Sequence, residues 1–206
     1  MNGQIIWNFL KEQGFNDYGA AGVLGNIYAE SACKPTNLQS TGNKALCMTD
    51  DEYTVAVNNG TYTNFVRDAH GYGLCQWTYW SRKQALYNFA AEKDVSIGDM
   101  KMQLSFMLKE FAEYKLLDCM KNAQSIYDAT KIMMLQYEKP YDQSEQAVLR
   151  RTKYAEEFYK QYSADDIDYL TSLGIIESPD YWRANLDKVK YLPDLLSKVV
   201  KYLKRV

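Results

Sequence analysis

Val23-Leu24-Gly25-Asn26-Ile27-Tyr28-Ala29-Glu30-Ser31 ends an apolar helical stretch on a carboxylic acid. On a helix, Ala20, Val23, Leu24 and Ile27 share one stripe, and Glu30 continues it, three residues after Ile27 and seven after Val23. A carboxyl on an apolar face has to be paired, neutralised or functional. Burial disfavours a carboxyl's charged form, the condition a general acid working near neutral pH requires. The competing reading is a glutamate at a fraying helix end that bends out to water. Upstream, Asn16 or Asp17 is placed to cap this helix. Downstream, Lys34-Pro35 breaks it.

A second constellation follows at Gly71-Tyr72-Gly73-Leu74-Cys75-Gln76-Trp77-Thr78-Tyr79-Trp80. Its glycines permit close backbone approach. Gln76 offers both a donor and an acceptor. Trp77 and Trp80 offer ring faces. An amide beside flat rings is what a sugar subsite is made of, although either indole could equally be a core aromatic.

The rest of the chain reads as helical. Ile5, Ile6, Phe9 and Leu10 recur at helix spacing, with Gly14 as a stop. Thr49-Asp50-Asp51-Glu52 is a capping box for a short helix over 53–57. Asn59-Gly60 is a turn, and a further short helix is expected over 62–68. Ser81-Arg82-Lys83-Gln84 reads as a second capping box. Ser96 and Asp99 precede a helix whose inner stripe is Leu104, Met107, Leu108 and Phe111. Helices are expected over 124–137 and 143–161, divided at Pro140. No alternating strand longer than four residues is evident. The character changes near 160–164. Beyond it, 164–173 reads as a helix stopped by Gly174, Ser178-Pro179-Asp180 as an N-cap with proline in the first turn, and 193–204 as a last helix.

Composition narrows the function. The 206 residues carry 24 basic and 26 acidic side chains, so there is no global basic field for nucleic acid. The 183–206 end holds seven basic against two acidic residues, which reads as a solvated helix face. Four cysteines without CxxC spacing and one histidine, His70, give no tetrahedral zinc site, and no metal or organic cofactor is expected. No apolar run reaches membrane-spanning length, and the N-terminus lacks the pattern of a secretory signal.

Taken in order, Gly-Asn-Ile-Tyr-Ala-Glu30-Ser31, Lys34-Pro35, Gly71-Tyr-Gly-Leu-Cys-Gln76-Trp77 and Tyr137-Glu138-Lys139-Pro140 resemble the phage tail lysozyme family. That family is related to goose-type lysozymes and soluble lytic transglycosylases. The resemblance implies a mainly α, lysozyme-like catalytic domain with a deep cleft over 1–162. It further implies a glycosidase that cuts the β-1,4 bond between N-acetylmuramic acid and N-acetylglucosamine in peptidoglycan. Lytic transglycosylase or N-acetylglucosaminidase chemistry on the same glycan are the alternatives, and a non-catalytic glycan-binding or structural virion module is the reading from another class. Glu30 falls on the family's catalytic acid. Ser31, Tyr72, Gly73, Gln76, Trp77 and Tyr137 fall on substrate-binding positions. Glycosidases ordinarily use two carboxyls, and the candidates for the second are Asp68 and Glu138. Residues 163–206 resemble a small three-helix module of clostridial and phage wall hydrolases, for which wall attachment or self-association are the expected roles. The expected partner is a peptidoglycan strand at the bacterial cell wall, reached by a phage-encoded protein.

Overall fold

The computed structural model describes residues 2–163, 167, 170–171, 173–188 and 190–203. The chain divides into two compact units, Met1–Tyr159 and Lys160–Val206. Both are helical, and the only β-pairing among the described residues is a pair of isolated bridges, Leu38 with Tyr72 and Tyr72 with Trp77.

The first unit is built around α2 (Asp17–Ser31). Asn16 caps it by accepting from Gly19 N at 2.8 Å, so the expectation of an N-cap at this point holds. Every residue from Gly19 to Ile27 is buried, which makes α2 a core helix rather than an amphipathic one. It is surrounded by α1 (Asn2–Glu12), α7 (Leu117–Lys121), α8 (Ile126–Ile132) and the first part of α9 (Glu145–Tyr162). Small residues make this possible. A Cβ on Gly22 would lie 2.4 Å from Ala129 Cβ and 2.8 Å from backbone atoms of α8. One on Gly25 would lie 2.7 Å from Ala155 N and 2.8 Å from Arg151 O on α9. Gly25→Ala therefore pushes α9 outward. Overpacking of this kind costs about 1–3 kcal/mol, and urea unfolding at neutral pH should show it as a lowered midpoint with an unchanged slope.

Four further helices complete the first unit. These are α3 (Ser40–Leu46), α4 (Asp50–Asn58), α5 (Trp80–Glu92) and α6 (Met100–Glu113). The capping box at Thr49 forms with both of its bonds. The helix expected over 62–68 does not: residues 65–67 make only a turn, and Asp68 is drawn inward to side chains far along the chain. The capping box expected at Ser81 is absent too. The helix starts two residues earlier, at Trp80, and its N-cap Tyr79 makes no side-chain cap bond. α8 runs directly into a π-helical segment, Met133–Glu138, which ends at Lys139 with φ +50°.

In the second unit, Ile167, Leu170, Ile176 and Val200 form the core, with Trp182, Leu186, Leu196 and Leu203 packed on it. Pro179 opens α10 (Pro179–Asn185), and α11 spans Leu192–Leu203. The helix expected over 164–173 lies partly outside the described residues; Ile167, Leu170 and Thr171 are helical, and Gly174 follows with φ +69°.

Candidate active site

Glu30 occupies the last turn of α2, its side chain 17% exposed. The helix then stops abruptly, because Ala32 and Cys33 both take positive φ, at 49° and 63°. Consecutive non-glycine residues in that region are uncommon and mark a backbone held by its surroundings. One restraint is visible. The Ser31 hydroxyl lies 3.0 Å from both Ile27 O and Leu74 O, so it ties the helix end to the glycine-rich turn.

That turn is a tight hairpin. Tyr72 and Trp77 exchange backbone bonds of 3.2 and 3.0 Å, and Gly73 and Gln76 adopt φ of +79° and +47°. Gln103 on α6 accepts from Leu74 N at 2.9 Å and donates to Pro35 O and Ile97 O. Gln76 donates to the Asn37 side chain at 2.9 Å and to the carbonyls of Asn37 and Gly73. Its amide donors therefore serve the fold, leaving the turn rigid rather than leaving the amide free.

Behind the hairpin lies a buried hub that the sequence reading did not find. Glu110, 4% exposed, accepts from Trp77 Nε1 at 2.8 Å, Tyr137 OH at 2.6 Å and Arg82 Nε and NH2 at 2.7 and 2.9 Å. The Arg82 guanidinium also sits over the Tyr137 ring, 4.8 Å from its centre. Trp77, Tyr72 and Tyr137 are thus not sugar platforms. Each is 2% exposed or less, and the Tyr72 hydroxyl is engaged by Thr54. Their polar tips are used inside the protein, which is the usual outcome for a buried Tyr or Trp. The signal that singles out Glu30 also fits Glu110, since it follows Phe106 and Met107 by four and three residues on a buried stripe.

The second-carboxylate candidates fare differently from each other. Both oxygens of Asp68 are occupied. Oδ1 accepts from Lys83 Nζ at 2.5 Å and His70 N at 3.1 Å, while Oδ2 accepts from Tyr53 and Tyr62. The pair is closed to solvent, at 2% exposure for Asp68 and none for Lys83. Burial pulls the Lys83 amine below its usual range, against the opposing pull of Asp68. Asp68 is therefore a structural anchor for the loop, not a base open to water. Glu138 ends the π-helical segment with its Oε1 buried. Its pKa stands well above the ordinary 4.5, chiefly through burial and next through the charge of Glu30, with Arg82 and Arg151 pulling the other way.

Glu30 itself is not alone on a dry stripe. Arg151 NH2 meets its Oε1 at 2.5 Å, and Arg151 NH1 bonds Asn26 at 3.0 Å. Asn26 in turn donates to Gly22 O and Thr130 O. The pairing falls across 121 residues of sequence, so no local spacing announces it. The Cys33 and Cys75 thiols are buried, the former pushed up to about 12 by burial, and all four cysteines are free. Inert thiols of this kind supply packing rather than a nucleophile. The described residues hold no group of three or more His, Cys, Asp or Glu that could bind a metal ion.

Two hollows flank this arrangement. One, about 310 Å³, is bordered by Tyr28, Ala29, Pro140 and Arg151, so it opens beside the cation that holds Glu30. The other, about 630 Å³, is walled by Val66, Arg67, Ala69, Thr78, Tyr79 and Trp80. It lies at the open end of the hairpin whose tip touches Ser31. Leu74 and Thr78 are four residue steps apart, at most about 13 Å at roughly 3.3 Å per step. Trp80 and Tyr79 are exposed, at 56% and 64%.

The family model for phage tail lysozyme matches residues 1–162. The chain belongs to the phage tail lysozyme family. That membership supports a lysozyme-type, peptidoglycan-degrading function for the chain. No curated protein matches the sequence. In this member of the phage tail lysozyme family, the helix ending in Glu30-Ser31 is tied to the glycine-rich turn through the Ser31 hydroxyl. Among the described residues, no helix is long and apolar enough to cross a membrane.

Proposed function

We propose that the chain cleaves the β-1,4 bond between N-acetylmuramic acid and N-acetylglucosamine, with Glu30 as the acid that protonates the glycosidic oxygen. The observation that carries this is selective closure. Of the three carboxyls considered, the Asp68 side chain is only 2% exposed and Oε1 of Glu138 is buried, whereas the Glu30 side chain keeps a face to solvent at the end of its helix. As Glu30 gives up its proton, the bond from the anomeric carbon to that oxygen breaks and the positive charge left on the sugar is quenched by a nucleophile. Glu30, now a carboxylate, takes the nucleophile's proton and is reset.

The glycan strand runs over the exposed rings of Tyr79 and Trp80 rather than over Trp77. Trp80→Ala should raise KM for wall fragments about 5- to 30-fold, equivalent to about 1–2 kcal/mol of lost stacking and apolar contact, with kcat largely kept. Initial rates on soluble glycan fragments measure this, and an unchanged KM would remove the ring from the binding path.

A second reading of the chemical outcome draws on Asp68. With that carboxylate spent on Lys83, water lacks a dedicated base and the sugar's own 6-hydroxyl becomes the competing nucleophile. Mass spectrometry of digested walls tests both. A reducing N-acetylmuramic acid end supports hydrolysis, an anhydro ring supports transglycosylation, and a reducing N-acetylglucosamine end would overturn the bond assignment. No released fragments at all would favour a glycan-binding module.

A further inference from the structure

The four arginines of the first unit are not used alike. Arg82 is held by Glu110, Arg150 by Asp142 and Arg151 by Glu30. Arg67 is exposed, and among the described residues its guanidinium makes no ion pair and donates no hydrogen bond. Its main chain, by contrast, is fixed. Arg67 N donates to Asn64 O at 2.9 Å. The next residue, Asp68, is buried against Lys83, and Lys83 also donates to His70 O. Between those two anchor points Ala69 takes a φ of +57°. A residue with a Cβ is strained there, and such strain persists only where the surroundings over-determine it. The loop is a rigid mount for a cation that has no internal partner.

Arg67 borders the 630 Å³ hollow together with Val66, Ala69, Thr78, Tyr79 and Trp80. The other walls are methyl groups, ring faces and a hydroxyl, and the hydroxyl donates to Gln76 O at 2.9 Å. Largely apolar walls with one placed charge describe a site that orients its ligand through a single ionic group. A guanidinium presents a flat fork of N–H donors that matches a carboxylate edge to edge. The neighbouring surfaces specify what adjoins that carboxylate. Val66 and Ala69 offer contact to a methyl-sized group, and Tyr79 and Trp80 offer contact to the face of a ring.

We infer that the hollow takes the acidic arm of N-acetylmuramic acid with Arg67 on its carboxylate, a reading that rests on the glycan strand crossing Tyr79 and Trp80. Of the two alternating sugars, N-acetylglucosamine has no acidic group. The muramic residue carries a lactyl arm, which has a methyl group and ends either in a free carboxylate or in a peptide that bears carboxylates of its own. Both sources present the same chemistry to the hollow: a carboxylate with a short apolar flank, attached to a sugar ring. Arg67 is thereby a specificity residue. It sets which of the two sugars lies over the rings.

The test is a binding measurement, which needs no turnover. Dissociation constants are obtained by NMR titration of the parent, Arg67→Gln and Arg67→Lys. The probes are the N-acetylglucosamine–N-acetylmuramic acid disaccharide with its lactyl carboxylate free, the same disaccharide bearing a peptide, both with every carboxylate capped as a methylamide, and the N-acetylglucosamine disaccharide. The parent should bind carboxylate-bearing probes roughly 5- to 30-fold more tightly than the capped and neutral ones. That preference should vanish in Arg67→Gln, return only in part in Arg67→Lys, which keeps the charge and loses the fork, and shrink at high salt. The loop anchors do not use the Arg67 side chain, so these surface variants should fold as the parent does. A preference for the bare disaccharide assigns the lactyl carboxylate, and one confined to the peptide form assigns the peptide; either supports the site. Equal affinity for capped and uncapped probes in the parent, or a preference that survives Arg67→Gln, would overturn it. Failure of the strand path reads out separately, as unchanged affinity of Trp80→Ala for the neutral N-acetylglucosamine disaccharide.

Discussion

Glu30→Gln should leave a folded protein whose wall-clearing rate is lower by roughly 10²- to 10⁴-fold, the range general acid catalysis contributes. The substitution keeps the side chain's length and its acceptor oxygen for Arg151, and it removes the acidic proton. The fold does not rest on this carboxyl, because α2 is fixed by its buried stretch from Gly19 to Ile27 and by Asn26 bonds to Gly22 and Thr130. The Tm should therefore move by only a few degrees, as for other partly exposed positions. Loss of rate with retained binding to purified walls, followed by co-sedimentation, would place the defect in chemistry. A variant that cleared walls at the parent's rate would dismiss Glu30 from the mechanism.

Breaking the Lys83–Asp68 pair should have the largest effect on stability. Lys83→Met leaves the Asp68 carboxylate sealed in with only Tyr53, Tyr62 and the His70 amide for partners. Removing one member of a buried ion pair costs about 3–5 kcal/mol, a large share of the roughly 5–15 kcal/mol that holds a domain together. The double replacement Lys83→Met with Asp68→Leu should recover part of that loss, because no charge then remains unpaired. Urea unfolding of the two single variants and the double one measures the coupling, and additive losses would show that the pair is not the cause. A functional effect should accompany the structural one. Lys83 also donates to His70 O at 2.9 Å, and Asp68 anchors the loop that brings Val66, Arg67 and Ala69 to the wall of the 630 Å³ hollow. Loosening that loop should raise KM before it lowers kcat.

Local signals explain what was legible. The N-cap at Asn16, the capping box at Thr49, the Asp99 cap and the proline at the start of α10 are all formed within four residues, and each is found where the sequence places it. The 62–68 segment failed for the reason these succeeded. Its helical pattern is weak, and the Asp68 side chain is held by Lys83, fifteen residues away. Trp77 shows the limit for side chains: composition marks an indole as valuable but does not tell a core ring from a platform. That choice was made by Glu110, thirty-three residues further on.

The sequence by itself determined the helical class and the end of α2 at Glu30-Ser31. Each depends on spacing, capping or positive φ, which are properties of neighbouring residues. Tertiary structure alone decided which carboxyls are sealed, which ring faces solvent, and that Arg151 meets Glu30. Those outcomes depend on the local dielectric and on partners far along the chain, and both come into being only when the helices pack.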